Sequence, residues 1–543
     1  MAYGRIAASG RRRCRAILLA GTAVLFQAGA AETQQLGRFT RITDASPFRF
    51  CTADDVAGQS DPAHGIVNYP GTEGEPWVEA DPADPRNLIV GWQQDRWSDG
   101  GARGNVAAFS RDGGATWRIT AVPRASACTG GAYQRGSHPW IGISPDGTAY
   151  YMSTAFDPDR PSGAFGRSAI LVNRSVDGGR TWGNPIVLRQ DPAGQALNDK
   201  GSLTADPTDP AYVYAVWNRL IEFTRPSVST GRAALAASTR SHGMDGVALL
   251  RERTRQLKSQ VGKEPVPFIF FRGPTWLART TNGGRSWERA RVIFDPGDNQ
   301  QTINNIVAVL PKGTVVHFFT AILADGSLRI GLIRSFDQGR TFERRPTYVA
   351  TISPSFSGTI TPDAQASVRD SSFLFGVAAN RRNGGLYVVW QDVRFRSVDE
   401  IAFSESRDRG RTWSTPVRIN QTPASRIPLR QQAFIPSIKV AANGTLVVTY
   451  YDFRRDNDTG ELTDHWAVFC RTDCTKRASW RNERRLTAFS FDMLDAPIAR
   501  GHFLGDYVGL AVARNVAHPV FGVATRSDVT NLYTCRINVG SRP

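Results

Sequence analysis

Long hydrophobic runs are missing from this 543-residue chain, and with them any segment able to span a membrane as a helix. The one apolar run near the start, Ala16 to Phe26, is too short to do so. It follows Arg11, Arg12, Arg13 and Arg15 and precedes Ala28-Gly29-Ala30. A charged region, an apolar core and a small-residue site in that order read as a signal peptide over residues 1–31, cleaved near Ala30/Ala31. Cys14 lies ahead of the apolar core, which argues against a lipoprotein site. The expected location is therefore secreted or periplasmic. Also missing is any Lys/Arg block or nucleic-acid module, although the net charge is +17. Removing Arg5, Arg11, Arg12, Arg13 and Arg15, with no acid before Glu32, takes that charge to +12. A diffuse positive field excludes nucleic acid as the first choice of partner and favours acidic glycans or anionic surfaces. Cysteine is scarce as well. Of six, five follow the leader (Cys51, Cys128, Cys470, Cys474 and Cys535), and no His pair accompanies them at ligand spacing. Disulfides with one thiol left over are expected, Cys470–Cys474 being the best local pair, and no metal or cofactor.

What the chain has is a repeated turn. Ser110-Arg-Asp112-Gly-Gly114-Ala-Thr116-Trp117 returns at Ser175–Trp182, loosely at Thr280–Trp287, then at Ser335–Phe342 and Ser406–Trp413. The Asp and Ser side chains close a tight turn, Gly supplies positive φ, and the aromatic residue tucks under the next strand. Apolar alternation on both sides makes each copy a strand-turn-strand hairpin, and five copies mean a repeat architecture.

These turns resemble the Asp box of the sialidase-type β-propellers, and the resemblance covers nearly the whole chain after the leader. It implies an all-β propeller with the boxes between third and fourth strands of each blade. The blade count follows from seven apolar strand-turn-strand segments: Trp77–Trp92, Trp140–Phe156, Ser202–Trp217, Ile306–Ala321, Phe373–Trp390, Ser437–Tyr451 and Val508–Thr525. The last has three strands, and Phe39–Thr43 resembles an outer strand, so the N terminus is expected to complete the last blade. Seven blades are expected, six being the alternative, in one domain over 32–543. An insertion in blade three (220–274), with helical composition at Ala233–Lys258, is a candidate lid or binding wall. Cys470–Cys474 stands where a sixth box is due, with Trp480 as its aromatic end.

The resemblance puts any site on the face opposite the boxes, where the approaches to the inner strands meet the loops after the second strands. The approaches carry Glu75, His138, Asp199, Lys200, His502, Asp506 and Tyr507. The second-strand loops carry Asp95, Arg96, Arg219, Glu222, Asp392, Arg394, Tyr451, Asp452 and Arg454. Carboxylates serve as acid, base or nucleophile, and Arg forks bind substrate carboxylates. The same pairs can equally be ion pairs joining blades. Asp199, Glu222, Asp392, Asp452 and Asp506 form the carboxylate pool for hydrolysis, with Tyr451 as nucleophile or lyase base. Glu75, Asp95, Arg96, His138, Lys200, Arg219, Asp392, Arg394, Arg454, His502 and Tyr507 are the candidate binding residues. Trp140, Trp217 and Trp390 read as core.

Sialidases, by resemblance, use three Arg on the substrate carboxylate, a Tyr activated by Glu, and an Asp acid/base. Their early Phe-Arg-Ile-Pro string is absent; Ser425-Arg426-Ile427-Pro428 comes closest, late in the chain. The leading expectation is a glycoside hydrolase on an acidic glycan, an exo-sialidase among the possibilities. A polysaccharide lyase acting on uronic-acid glycans and a non-catalytic glycan- or protein-binding propeller are the alternatives. The expected state is a monomer.

Overall fold

Seven antiparallel four-stranded units follow one another along the chain in the computed structural model, which describes residues 37–158, 165–224, 269–355, 358–457, 460–526 and 528–540. The expected signal peptide over residues 1–31 and the helical-composition stretch Ala233–Lys258 lie outside the described residues. Unit one comprises Asn68–Ala80, Leu88–Trp97, Ala102–Ser110 and Arg118–Ala121; unit two comprises Arg135–Ile143, Ala149–Phe156, Ser168–Ser175 and Ile186–Asp191. Unit three has Leu197–Ala205, Val213–Thr224, Thr275–Thr280 and Arg291–Phe294, and unit four Gln300–Leu310, Thr314–Ile322, Leu328–Ser335 and Thr347–Ile352. Unit five has Phe375–Ala379, Leu386–Asp392, Glu400–Ser406 and Val417–Arg418, and unit six Ala433–Val440, Leu446–Asp452, Leu462–Cys470 and Arg481–Arg485. Unit seven has Gly509–Ala513, Val516–Thr525 and Asp528–Thr534, and its fourth strand is Thr40–Arg41 from the N terminus, with Thr40 opposite Thr534. Every segment expected from the sequence falls on the first two strands of a unit.

The five repeated turns join third to fourth strands in units one to five. In the first, Ser110 Oγ takes the Gly114 amide at 2.8 Å, and Asp112 takes the Ala115 and Thr116 amides, each at 2.9 Å. Asp177, Asn282, Asp337 and Asp408 repeat the pattern. In unit six the disulfide Cys470–Cys474 occupies the same turn, and Trp480 donates to the Cys474 carbonyl at 2.9 Å. Cys51–Cys128 is the second disulfide, and Cys535 is a buried free thiol.

Apolar strands pack most tightly between units. One core joins units two and three through Trp140, Tyr150 and Trp217, another joins four and five through Phe318 and Trp390, and a third joins six and seven through Tyr451 and Phe521. First strands lie against first strands of neighbouring units, and that of unit seven lies against that of unit one. Between these strands runs a cavity of about 480 Å³, touched by all seven. The flanks of the expected insertion form a ribbon, Ile221–Thr224 against Ile269–Gly273. No helix among the described residues is long and apolar enough to cross a membrane.

Candidate functional site

The first strands do not run straight through. Five of them carry a bulge at one equivalent place, marked by register shifts at Gly74/Trp77, Ser137/Trp140, Asp199/Ser202, Ile303/Ile306 and Phe434/Ser437. The residue in each bulge is left-handed: Glu75 (φ 52°), His138 (45°), Lys200 (41°), Asn304 (56°) and Ile435 (51°). In unit five Ser371 (φ 46°) takes the matching place, and in unit seven Gly505 (φ 133°) precedes Asp506. Pro76, Pro139 and Pro436 follow three of these residues, where the broken ladder asks for no amide donor. Left-handed backbone costs a non-glycine residue about 1–2 kcal/mol. A bulge of this kind re-aims a side chain. Gly505 is needed for approach, since a Cβ there would lie 2.8 Å from the Glu75 nitrogen.

Three of the re-aimed side chains meet, those of Glu75, His138 and Lys200, whereas Asn304 donates to the Phe375 carbonyl at 3.0 Å and Ile435 packs in the core. His138 spans two carboxylates, with Nδ1 3.0 Å from Glu75 Oε2 and Nε2 2.7 Å from Asp199 Oδ1. Lys200 Nζ touches Asp506 and lies 3.6 Å from Glu75 Oε1. Arg369 grips Asp506 bidentately at 2.6 Å on each oxygen, and Ser371 donates to it at 2.5 Å. Gln93 donates to Glu75 and, at 2.9 Å, to Ser137, and accepts from Arg96. Arg96 stacks on Phe503 with its guanidinium 4.4 Å from the ring centre. Below, Trp77 and Trp140 stack at 3.5 Å, and Tyr507 meets both edge-on while donating to the Pro139 carbonyl at 3.0 Å.

Electrostatically the acids and bases of the cluster favour one another's charged forms. Burial alone would lift the Glu75 carboxyl, but His138 and Lys200 hold it below its ordinary value. Asp199 is likewise held at about 2 against the cost of burial, by His138 and Lys200. Burial opposes charge on His138 and Lys200, yet Glu75 and Asp199 raise both, and Asp506 raises Lys200 further. Arg369 and Lys200 hold Asp506 well below the carboxylate range despite its burial. Burial and Arg369 pull Arg96 down to about 10. Burial and Glu75 push the Tyr507 phenol well up. Asp199 is the carboxylate with an outlet: its side chain is 19% exposed, against 0% for Glu75 and Asp506.

Thus Glu75, Arg96, His138, Asp199, Lys200, Asp506 and Tyr507 come together. The other expected residues do different work. At four joints, a residue ending a second strand bonds to the segment that ends or follows the fourth strand of the preceding unit. Asp95 accepts from Ser46 at 2.8 Å, and Arg219 forks onto Asp191 at 2.7 and 2.9 Å. Asp392 accepts from the Ser353 amide at 3.2 Å, and Asp452 from Thr422 at 2.7 Å. Arg394 and Arg454 pair with Asp392 and Asp452 within these joints. Tyr451 lies in the core, donating to the Gly522 carbonyl at 2.9 Å and packed on Phe434 and His465. Glu222 lies in the ribbon opposite Phe271. His502 bonds the Ala496 carbonyl through Nδ1 at 3.0 Å and pairs by backbone with residues 367–369. Sequence reasoning missed Arg369 and Ser371. Their signal is position: Arg369-Asp370-Ser371-Ser372 precedes Phe373 as Glu73-Gly74-Glu75-Pro76 precedes Trp77.

The sequence matches no family model and none of the curated proteins. Similar solved structures include the Hadza microbial sialidase Hz136, at 15% identity and TM-score 0.44, covering 83% of this chain and 76% of that one. An α-L-arabinanase from Penicillium chrysogenum is similar at 10% identity and TM-score 0.42, over 93% and 99% of the two chains. A protein of unknown function from Dyadobacter fermentans is similar at 12% identity and TM-score 0.43, over 86% and 95%.

Proposed function

We propose that this chain is an exported sialidase-like propeller of seven blades that hydrolyses an acidic glycan. The seven four-stranded units, the N-terminal strand in the last of them, and the joints between units support the blade reading. The observation that carries the chemistry is the convergence of three bulged first strands on one charged cluster in which Asp199 is the carboxylate with an outlet. Asp199 Oδ1 is fixed by His138 and by the Lys200 amide, which leaves Oδ2 for a sugar carbon or a water. A carboxylate held at about 2 stays ionised, as a nucleophile must. Lys200, Arg369 and Arg96 set up the positive field that an acidic ring would meet. Elimination is disfavoured, because both His138 nitrogens are engaged by carboxylates and Tyr451 is bound into the core.

The test is mass analysis of products from sialylated and uronic-acid glycans. Hydrolysis adds one water for each bond broken, and Asp199→Asn is expected to lower turnover at least about 100-fold with the fold intact. Full activity in Asp199→Asn would overturn the assignment. A non-catalytic binding propeller is the second reading, favoured by the carboxylate partners that Lys200 and Arg369 already hold. Glycan binding without cleavage of any panel member would select it.

A further inference from the structure

Residues 358–374 lie between the fourth strand of unit four and the first strand of unit five, in a long connection like the one at 486–508 between units six and seven. They do not stay with their own unit. Ile360 exchanges bonds with the Gln432 side chain of unit six at 3.2 and 2.6 Å, and the Arg369 amide and Ser367 carbonyl pair with His502 at 2.9 and 2.8 Å. Arg369 and Ser371 then reach Asp506 in the charged cluster. The segment is a strap across units five, six and seven, and it supplies part of the site.

Its two ends are fastened by acid against acid. At one, Thr359 bridges two buried carboxyls: its amide donates to Asp370 Oδ2 at 2.7 Å and its hydroxyl to Asp399 Oδ2 at 3.1 Å. Asp399 is fully buried, and the Ser355 backbone and the Thr359 hydroxyl are the groups that favour its charged form. Gln391 donates to Asp370 at 3.1 Å, Asp392 adds negative charge from the second strand of unit five, and its own partner is Arg394. At the other end the Glu461 and Leu462 amides of unit six donate to Asp492 at 3.3 Å and to Asp456 at 3.4 Å, which brings both acids to Glu461. Asp363 of the strap, held by the Thr361 hydroxyl at 2.6 Å, adds its negative charge to theirs. Arg430 answers Asp456 at 2.7 Å, while Glu461 Oε2 is buried without a partner. Among the described residues, neither contact places a cation on the strap-holding carboxyl itself.

We infer that the strap is latched by one proton at each end, on Asp399 and on Glu461, so that protonation tightens this side of the site and deprotonation loosens it. Burial, with Asp370 as the nearest negative charge, pushes Asp399 up to about 7. Burial, with Asp363 and Asp456, pushes Glu461 up to about 7 as well. A carboxyl raised in the latched state and ordinary in the loosened state makes latching strongest below about pH 4. Latching then weakens up to about 7 and levels off beyond it. Each such group contributes about tenfold per pH unit in that window, and the two together about a hundredfold. The latch is independent of the proposed chemistry, because its readout is the strap and not turnover.

Hydrogen exchange of the strap amides, corrected for intrinsic rates, tests it between pH 5 and 8. Protection at residues 359–370 is expected to fall steeply from pH 5 to 7 and to flatten above, while first-strand amides of units one to three stay level. Asp399→Asn with Glu461→Gln keeps both groups neutral and is expected to keep the strap protected up to pH 8. Each single variant is expected to halve the logarithmic slope. Strap protection that does not change between pH 5 and 7, or an unchanged slope in the double variant, would overturn the latch.

Discussion

Asp506 is the most heavily bound carboxylate of the cluster, and Asp506→Asn measures what the cluster contributes to stability. The wild-type side chain takes two bonds from Arg369, one from Ser371 and the contact of Lys200, with no exposure to solvent. Asn keeps the size and removes the charge, leaving Lys200 with Glu75 at 3.6 Å and Arg369 without its anion. Removing one partner of a buried pair costs about 3–5 kcal/mol. At about 2.1 cal/mol/K of unfolding entropy per residue, a unit of 510 residues loses stability at about 1.1 kcal/mol/K. The expected drop in Tm is therefore ~3–5 °C at pH 7 if the unit melts as one. The pH dependence has a definite sign. Asp506 is depressed in the fold, so its contribution is present above the unfolded value near 4 and is lost as pH falls through the folded value. Calorimetry should find the full gap at pH 7 and 5 and a gap about 1 kcal/mol smaller at pH 3. Adding Lys200→Met to the variant is expected to restore part of the loss, since it removes the stranded cation. A variant that melts within 1 °C of wild type at pH 7, measured to about that precision, would refute the ion-pair account of the cluster.

Two further outcomes separate structure from chemistry. Tyr451→Phe removes the bond to the Gly522 carbonyl and is expected to cost about 1 kcal/mol by denaturant titration while leaving turnover on the glycan panel unchanged; a folded but inactive variant would return Tyr451 to the mechanism. The two disulfides close loops separated by 77 and 4 residues, so Cys51→Ala with Cys128→Ala is expected to cost about 4.5 kcal/mol against about 2 for Cys470→Ala with Cys474→Ala, by the chain-entropy relation. Equal losses would mean that the N-terminal segment is held by its other contacts, Arg103 with Asp54 at 2.6 Å foremost.

The hairpins were legible because they are local. Ser110, Asp112 and Gly114 bond within five residues of one another, so spacing alone describes the turn. The role of Thr40–Arg41 was legible for a related reason: Phe39–Thr43 has the composition of the other outer strands, and the last unit lacked one. The site was half legible. The approaches to the first strands and the ends of the second strands lie on one face by strand alternation, and sequence reasoning weighed them together. What sequence could not give was distance from the axis. A residue ending a second strand sits one strand further out, and Asp95, Arg219, Asp392 and Asp452 each bond to the preceding unit. Arg369 was missed because the strap that carries it departs from the repeat, and its partner Asp506 is 137 residues away.

Strand alternation has period two and therefore assigns a side chain to a face, but it cannot bring it to a common centre. The bulges do that. At the same place in five first strands the ladder skips, the backbone turns left-handed, and the next side chain leaves the sheet plane. Folding would be served better by Gly at such positions, yet the chain puts Glu75, His138 and Lys200 there, three residues for which left-handed backbone is costly. Strain that recurs at one radius, in residues of complementary charge, is accounted for by the cluster it assembles. The opposite ends of the same strands carry the turns between first and second strands, where Lys312 and Arg514 are left-handed as members of tight turns. Chemistry on this chain is therefore expected where the bulges point, and the joints one strand further out keep the units in register around it.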